Sequence, residues 1–237
     1  MDNIPKSTSI LSIRYSSDGF SLYASEEQNN LTLYKDSKVS NSENTFELFG
    51  DFLNETLELN TNAKHTEFSI QSELYVLAPI AMFSLNELLN IIEFQHNSLP
   101  EIAYTLQLNE FKEHNFALAF IIETNIYDII CSKFDNFIIK HHLTSAIEEL
   151  LAQEQAIQCI VRRNRLDLIH TAKNKLLYCN SHNYSTNEDI LYHLLNMQQT
   201  LSIETENTSI VVSVEHDQLG LEQLLKKNIK ELVFKTR

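Results

Sequence analysis

The chain is 237 residues long and 43% hydrophobic, enough for a packed core and too much for a disordered chain, and its length suits one large domain or two modest ones. Its net charge of −14 is unevenly spread: residues 1–154 carry 8 Lys and Arg against 23 Asp and Glu, a net of −15, whereas residues 155–237 carry 10 against 9, a net of +1. Such acidity repels phosphate backbones and makes nucleic acid an unlikely partner.

Met1 to Ser9 shows no basic segment followed by an apolar one, so a secretory signal is not expected. The longest apolar run, Phe116 to Ile122, is strand-sized and far short of the roughly 18 residues of a membrane helix. Cys131, Cys159 and Cys179 are scattered and form no CxxC pair, which predicts reduced thiols and a cytoplasmic location.

Ile10, Leu11, Ile13 and Tyr15 predict a first strand, Ser17-Asp18-Gly19 a tight turn, and Phe20, Leu22 and Tyr23 the return strand. Leu31, Leu33 and Tyr34 make a third. Phe46, Phe49, Phe52, Leu53 and Leu57 then fall at helical spacing, with Gly50 a tolerated weak point. Strands follow at Glu67–Ile70 and Leu74–Leu77, and a second helix is marked by Leu85, Leu88, Leu89 and Ile92. The stretch from Ile102 to Ile122 reads as two strands, the second fully apolar. Ile126, Ile129 and Ile130 mark a helix, Phe137–Ile139 a strand, and Ala146, Ile147, Leu150 and Leu151 a helix leading into a second unit at residue 155.

In that second unit, Ala156–Val161, then Leu166, Leu168 and Ile169, then Leu176, Leu177 and Tyr178 are short apolar runs separated by polar breaks, a meander of antiparallel strands. Ser185 three before Glu188 is a capping-box pattern. Behind it Ile190, Leu191, Leu194, Leu195 and Leu201 share a helical face. The β-branched run Ile210-Val211-Val212 with Val214 predicts a central strand buried on both faces. Asp217 is placed to cap a helix through Leu221, Leu224 and Leu225, and Leu232, Val233 and Phe234 close the chain as a strand. The predicted order is βββαβαβ. A meander followed by α/β alternation occurs twice, in residues 1–154 and 155–237. The expected class is α/β, a duplicated ribonuclease H-like (actin-like ATPase) fold, each unit a mixed sheet opening with a three-strand antiparallel meander and flanked by helices.

The stretch from Leu176 to Leu195, with Asn180-Ser181, Tyr184 and Glu188-Asp189-Ile190, resembles the signature of a bacterial family of uncharacterised proteins, domain-of-unknown-function family 3822. His182 stands where that family more often has an aromatic. Leu11-Ser12-Ile13-Arg14 with Asp18-Gly19, and Ala78-Pro79 with Met82-Phe83, are similar too. The resemblance implies an actin-like ATPase architecture of two ribonuclease H-like units and no established activity.

Each chemistry of that architecture can be tested on the residues. Gripping phosphate takes glycine-rich turns, because backbone N–H groups must approach oxygens with no Cβ in the way. Here the first candidate loop, Ser16-Ser17-Asp18-Gly19, has one glycine and reads as an ordinary turn. The second, Arg162-Arg163-Asn164-Arg165-Leu166-Asp167, has none and reads as a solvated hairpin tip. Asp18, Gly19, Arg162, Arg163 and Arg165 are the candidate contacts should an anion bind. A two-metal nuclease needs carboxylates on central strands, yet Ile10–Tyr15 and Ala156–Val161 carry none. His141-His142, taken as strand neighbours on opposite faces, do not make a joint metal site. Cys131 and Cys179 read as structural thiols. Tyr178, Tyr184 and Tyr192 read as packing aromatics with satisfied hydroxyls, and Glu188-Asp189 as helix-terminal acids. No catalytic residue, metal or cofactor is expected. The expected function is a non-enzymatic protein-interaction or assembly module with a degenerate nucleotide site and an unidentified protein partner. The alternatives are a divergent nucleotide-binding ATPase using the inter-unit cleft, and an accessory factor for RNA modification that meets phosphate through Arg162–Arg165.

Overall fold

The computed structural model describes residues 10–236 apart from 17, 26–31, 40–43, 60–62, 83, 98, 100, 204–207, 216–217 and 231. By its own contacts the chain divides into Met1–Thr144 and Ser145–Arg237.

The first unit opens with β1 (Ile10–Ser16), β2 (Gly19–Ser25) and β3 (Thr32–Lys38), each antiparallel to the one before. Alternation puts Leu11 and Ile13 of β1 on one buried face. Helix α1 (Thr45–Glu58) turns Phe49, Phe52 and Leu53 inward, where Phe20 of β2 meets Phe49 and Phe52 at ring distances of 5.0 and 5.6 Å. Fully burying one such side chain contributes about 1.5–3 kcal/mol. Leu57, at the end of α1, is exposed instead, and Thr56 beside it is the buried residue of the last turn. Strand β4 (His65–Ile70) lies parallel to β1.

The chain then leaves this sheet. Strand β5 (Tyr75–Pro79), helix α2 (Leu85–His96), β6 (Tyr104–Phe111) and β7 (Phe116–Glu123) form a separate three-stranded antiparallel sheet in the order β5-β7-β6. Leu88 and Ile92 of α2 cover it and close a core with Val76, Ala78, Ala119 and Ile121. Ser84 caps α2 through a capping box with Glu87. Helix α3 (Thr124–Lys133) leads back, and β8 (Phe137–His141) pairs parallel to β4, giving the order β3-β2-β1-β4-β8.

Helix α4 (Thr144–Leu151) begins the second unit, where Thr171 Oγ1 donates to Leu150 O at 2.9 Å. There β9 (Gln155–Val161), β10 (Arg165–Ala172) and β11 (Lys175–Asn183) form the meander. Helix α5 (Asn187–Thr200), β12 (Ser209–Val214), α6 (Leu221–Asn228) and β13 (Leu232–Thr236) complete it. The sheet order β11-β10-β9-β12-β13 repeats the first unit's order strand for strand, with β12 parallel to β9 and β13 parallel to β12. The predicted βββαβαβ sequence is therefore realised, and the first unit is the same pattern with residues 71–123 inserted between its fourth and fifth strands. Ile190, Leu194 and Met197 of α5 and Leu221 and Leu225 of α6 pack on Ile157, Leu168, Ile210 and Val212. Val211 is only half-buried, so β12 is covered less completely on its second face than expected. Leu201 lies just past α5 as its C-cap. Ser17, Leu31, Phe83 and Asp217 fall outside the described residues.

Candidate functional site

The β1–β2 turn is built around Ser16. Its buried Oγ lies 2.5 Å from Asp18 Oδ1 and 2.8 Å from Gly19 O, so one hydroxyl proton is shared between two acceptors. Asp18 O accepts the N–H of Val39 at 3.0 Å, which ties the turn to the end of β3. Gly19 has φ +151°, and a Cβ there would lie 2.1 Å from the backbone oxygen of Ser37. The glycine serves the crossing of β2 and β3.

The β9–β10 hairpin differs from the expected solvated tip. Arg162 is 4% exposed and forms a two-pronged pair with the fully buried Asp167: Nε donates to Oδ2 at 2.7 Å and Nη2 to Oδ1 at 2.9 Å. Ser181 Oγ of β11 donates to the same Oδ1 at 2.5 Å. Tyr184 carries the network onward. Its hydroxyl meets the carbonyl oxygens of Arg162 and Arg163, and it accepts from Gln218 Nε2 at 2.6 Å. Burial raises the Tyr184 phenol above its ordinary value, offset in part by the Gln218 hydrogen bond. Of the three arginines only Arg163 is fully at the surface; Arg165 is half-buried and donates to Asn183 Oδ1 at 2.6 Å. Sequence reasoning missed Asp167 as the hub. Its signal was a carboxylate inside the apolar run Leu166–Ile169, five residues from an arginine across a hairpin.

Other predicted groups are placed as follows. The helix cap is Thr186 with Asp189, one residue beyond the expected Ser185–Glu188 pair. Asp189 Oδ2 accepts both the Ser185 and Thr186 N–H groups at 2.9 Å, which fixes the cap at Thr186 and holds that carboxyl below its usual value. Tyr178 Oη is 2.9 Å from His182 Nε2, whereas Tyr192 is exposed. His182 stacks on His193 at 4.4 Å. The premise applied to His141-His142 fails: β8 ends at His141, so alternation does not govern residue 142, and the two rings sit 4.2 Å apart. His141 Nε2 lies 2.9 Å from Ser72 O and is buried against Tyr75 and Phe120. Among the described residues no three His, Cys, Asp or Glu side chains are grouped to hold a metal. Cys159 is buried, which pushes its thiol up, whereas Cys131 on α3 is exposed. No helix of the described residues is long and apolar enough to cross a membrane.

Within the first unit a cavity of about 220 Å³ opens where the carboxyl ends of β1 and β4 meet the inserted sheet. Ile70, Leu74, Ile102, Ile121, Ile122 and Ile126 supply aliphatic walls, and Tyr15, Gln71, Ser72, Glu73, Tyr104 and Glu123 the polar positions. Carboxyl ends of parallel strands are the ordinary place for a ligand in an α/β sheet. Nothing in the sequence pattern joined these residues, because they come from β1, β4, the β4–β5 connection, β6 and the segment before it, β7 and the first turn of α3.

No curated protein matches the chain in sequence. The sequence profile described as "Protein of unknown function (DUF3822)" matches residues 1–232. Among solved structures, a Bacteroides thetaiotaomicron protein with an actin-like ATPase fold and unknown function is 21% identical, with a TM-score of 0.79, covering 97% of this chain and 91% of that one. The PilM–PilN type IV pilus biogenesis complex gives 10% identity and a TM-score of 0.55 over 100% and 91%. The ethanolamine utilization protein EutJ from Carboxydothermus hydrogenoformans gives 8% and 0.54 over 99% and 86%. With the doubled strand order, these place the chain in the duplicated, actin-like ATPase class of α/β folds.

Proposed function

This chain belongs to the DUF3822 family of proteins of unknown function, and from that membership we propose that it is a non-enzymatic assembly module of the cytoplasm, an actin-like fold that holds a protein partner and has lost its grip on nucleotide. The observation that carries this reading is that the glycine of one turn and the first arginine of the other are taken up by the fold, which leaves Arg163 as the one arginine of that hairpin fully at the surface. Gly19 is packed against the Ser37 carbonyl, and the Arg162 charge is spent on buried Asp167. A turn that grips phosphate keeps such groups turned outward. A neighbour of the same fold, PilM, is known in complex with PilN, which supports the architecture as a protein-holding one. On the inserted unit, Phe94 of α2 is 87% exposed and Ile91 41%, apolar surface suited to a partner.

Calorimetry with ATP and Mg²⁺ on the full chain tests it. The expected result is no binding tighter than about 1 mM; an affinity in the micromolar range, some 4 kcal/mol more favourable, overturns the reading.

A further inference from the structure

The cavity of the first unit holds hydrogen-bonding groups that the fold does not use. Of its polar positions, Gln71 Nε2 donates to the Glu73 carboxylate at 3.2 Å, and Ser72 Oγ donates to Ile121 O at 2.8 Å. The hydroxyls of Tyr15 and Tyr104 differ. Neither has a hydrogen-bond partner among the described residues, and neither is sealed inside the core. A tyrosine hydroxyl drawn away from bulk water ordinarily finds a partner. Both rings are meanwhile anchored: Tyr15 packs on Phe20 and Phe49 at ring distances of 5.5 and 4.9 Å, and Tyr104 on the core that Leu88 and Ile92 of α2 close. Two phenols are thus held at an aliphatic wall with their donors uncommitted.

Charge is not what this space selects. Glu73 is engaged within the fold, by the Gln71 amide and by further interaction, and Glu123 is exposed, so its charge is solvated. An ammonium entering the cavity would give up hydration for little return. A carboxylate would find no Lys, Arg or His among the described lining residues. The Tyr15 phenol is pushed up to about 12 by burial and then by the charge of Glu123, so it stays a neutral hydroxyl across physiological pH.

We propose that this cavity, walled by Ile70, Leu74, Ile121 and Ile126, binds a small uncharged molecule: an apolar ring or short chain for the aliphatic walls, and one carbonyl or hydroxyl oxygen to accept from the phenols of Tyr15 and Tyr104. Apolar walls with a few placed polar groups are the ordinary make-up of a small-molecule site, the walls supplying affinity and the polar groups orientation. An apolar cavity of about 150 Å³ is large enough for benzene, so a space of about 220 Å³ suits a six-membered ring that carries one oxygen. The inference goes beyond the assembly reading and stands without it, since ATP binding or its absence does not bear on this cavity.

The test is calorimetry on the full chain with three probes that share one ring: cyclohexanone, cyclohexylamine and cyclohexanecarboxylate. Cyclohexanone is expected to bind at least about tenfold tighter than either charged probe. Tyr15→Phe with Tyr104→Phe keeps both rings and removes both hydroxyls, and should weaken cyclohexanone by about three- to tenfold. Because those hydroxyls have no partner in the fold, the thermal midpoint of the double variant should hold or rise; a fall would show them committed to the fold and overturn the proposal. Ile102→Trp, at an exposed wall position, should block cyclohexanone while leaving the thermal midpoint unchanged. No heat from cyclohexanone up to about 10 mM, a charged probe that binds as tightly, or full affinity in the double tyrosine variant each overturns the proposal.

Discussion

Arg162 and Asp167 form a pair that the chain cannot half-dismantle. Both are buried, and two parallel hydrogen bonds hold them in one plane. Removing one partner strands a charge away from water, which costs about 3–5 kcal/mol, whereas replacing both by apolar groups of similar size is often neutral. Asp167→Asn is therefore expected to lower the stability of the second unit by that amount in urea unfolding, and Arg162→Met with Asp167→Leu to recover most of it. A double variant as unstable as the single one would show that the pair contributes net stability. This residue-scale fact was half legible in the sequence. Three arginines in four positions announced a cationic turn, but charge clustering carries no information on burial. The partner that draws Arg162 inward sits on the following strand, inside an apolar run where a lone acid does not stand out.

Helix α5 illustrates what a pattern gives and withholds at the scale of an element. Its length, its inward Ile190 and Leu194, and an acidic first turn are all readable; the cap is displaced, since Ser185–Glu188 and Thr186–Asp189 both satisfy the spacing, and Leu195 and the C-cap Leu201, expected on the inward face, are exposed. The three strands β5, β6 and β7 were equally readable one at a time. Their forming a sheet of their own was not, because alternation states which face of a strand is buried and says nothing of its neighbours. The cavity shared that fate: its walls belong to two sheets that no sequence period connects.

The same helix gives a pH prediction. His182 of β11 is held below its ordinary value by burial, then by neighbouring His193 and Arg165, with Asp167 opposing. His170, buried in β10, is lowered as well. The unfolded chain then binds more protons than the folded one, so stability is full above the ordinary histidine value near 6.5 and falls as pH drops through it. Further acidification releases Asp189, whose lowered value makes its capping contribution present above the ordinary aspartate range and lost below it. The urea midpoint of the second unit is expected to fall between pH 7.5 and 5.5, and His193→Gln to make that fall shallower; a flat profile would refute the coupling of β11 to α5.

For the whole molecule, the repeated strand order means that each unit closes a sheet around its own first strand. The second unit has one continuous core running through β9, β10, β12, α5 and α6. A fragment spanning residues 145–237 is therefore expected to unfold cooperatively in urea and to keep a far-ultraviolet dichroism spectrum of mixed helix and strand; a gradual, featureless transition would show that it depends on the first unit.

Residues 71–123 bear on how the first unit assembles in time. Pairing β4 with β8 joins Thr66 to Phe137, a closure that ordinarily slows folding because chain entropy is lost before the contact rewards it. The inserted sheet shortens that path. Pairing of β5 with β7, and the bond from Ile121 N–H to Leu74 O, bring the two ends of the insertion together around a core that needs nothing from the larger sheet. Once that small body has formed, the chain between β4 and α3 is tethered at both ends, and the remaining search is expected to be that of a short loop. The segment that most lengthens the chain between the two strands is thus expected to act also as a kinetic clip that returns them to one another.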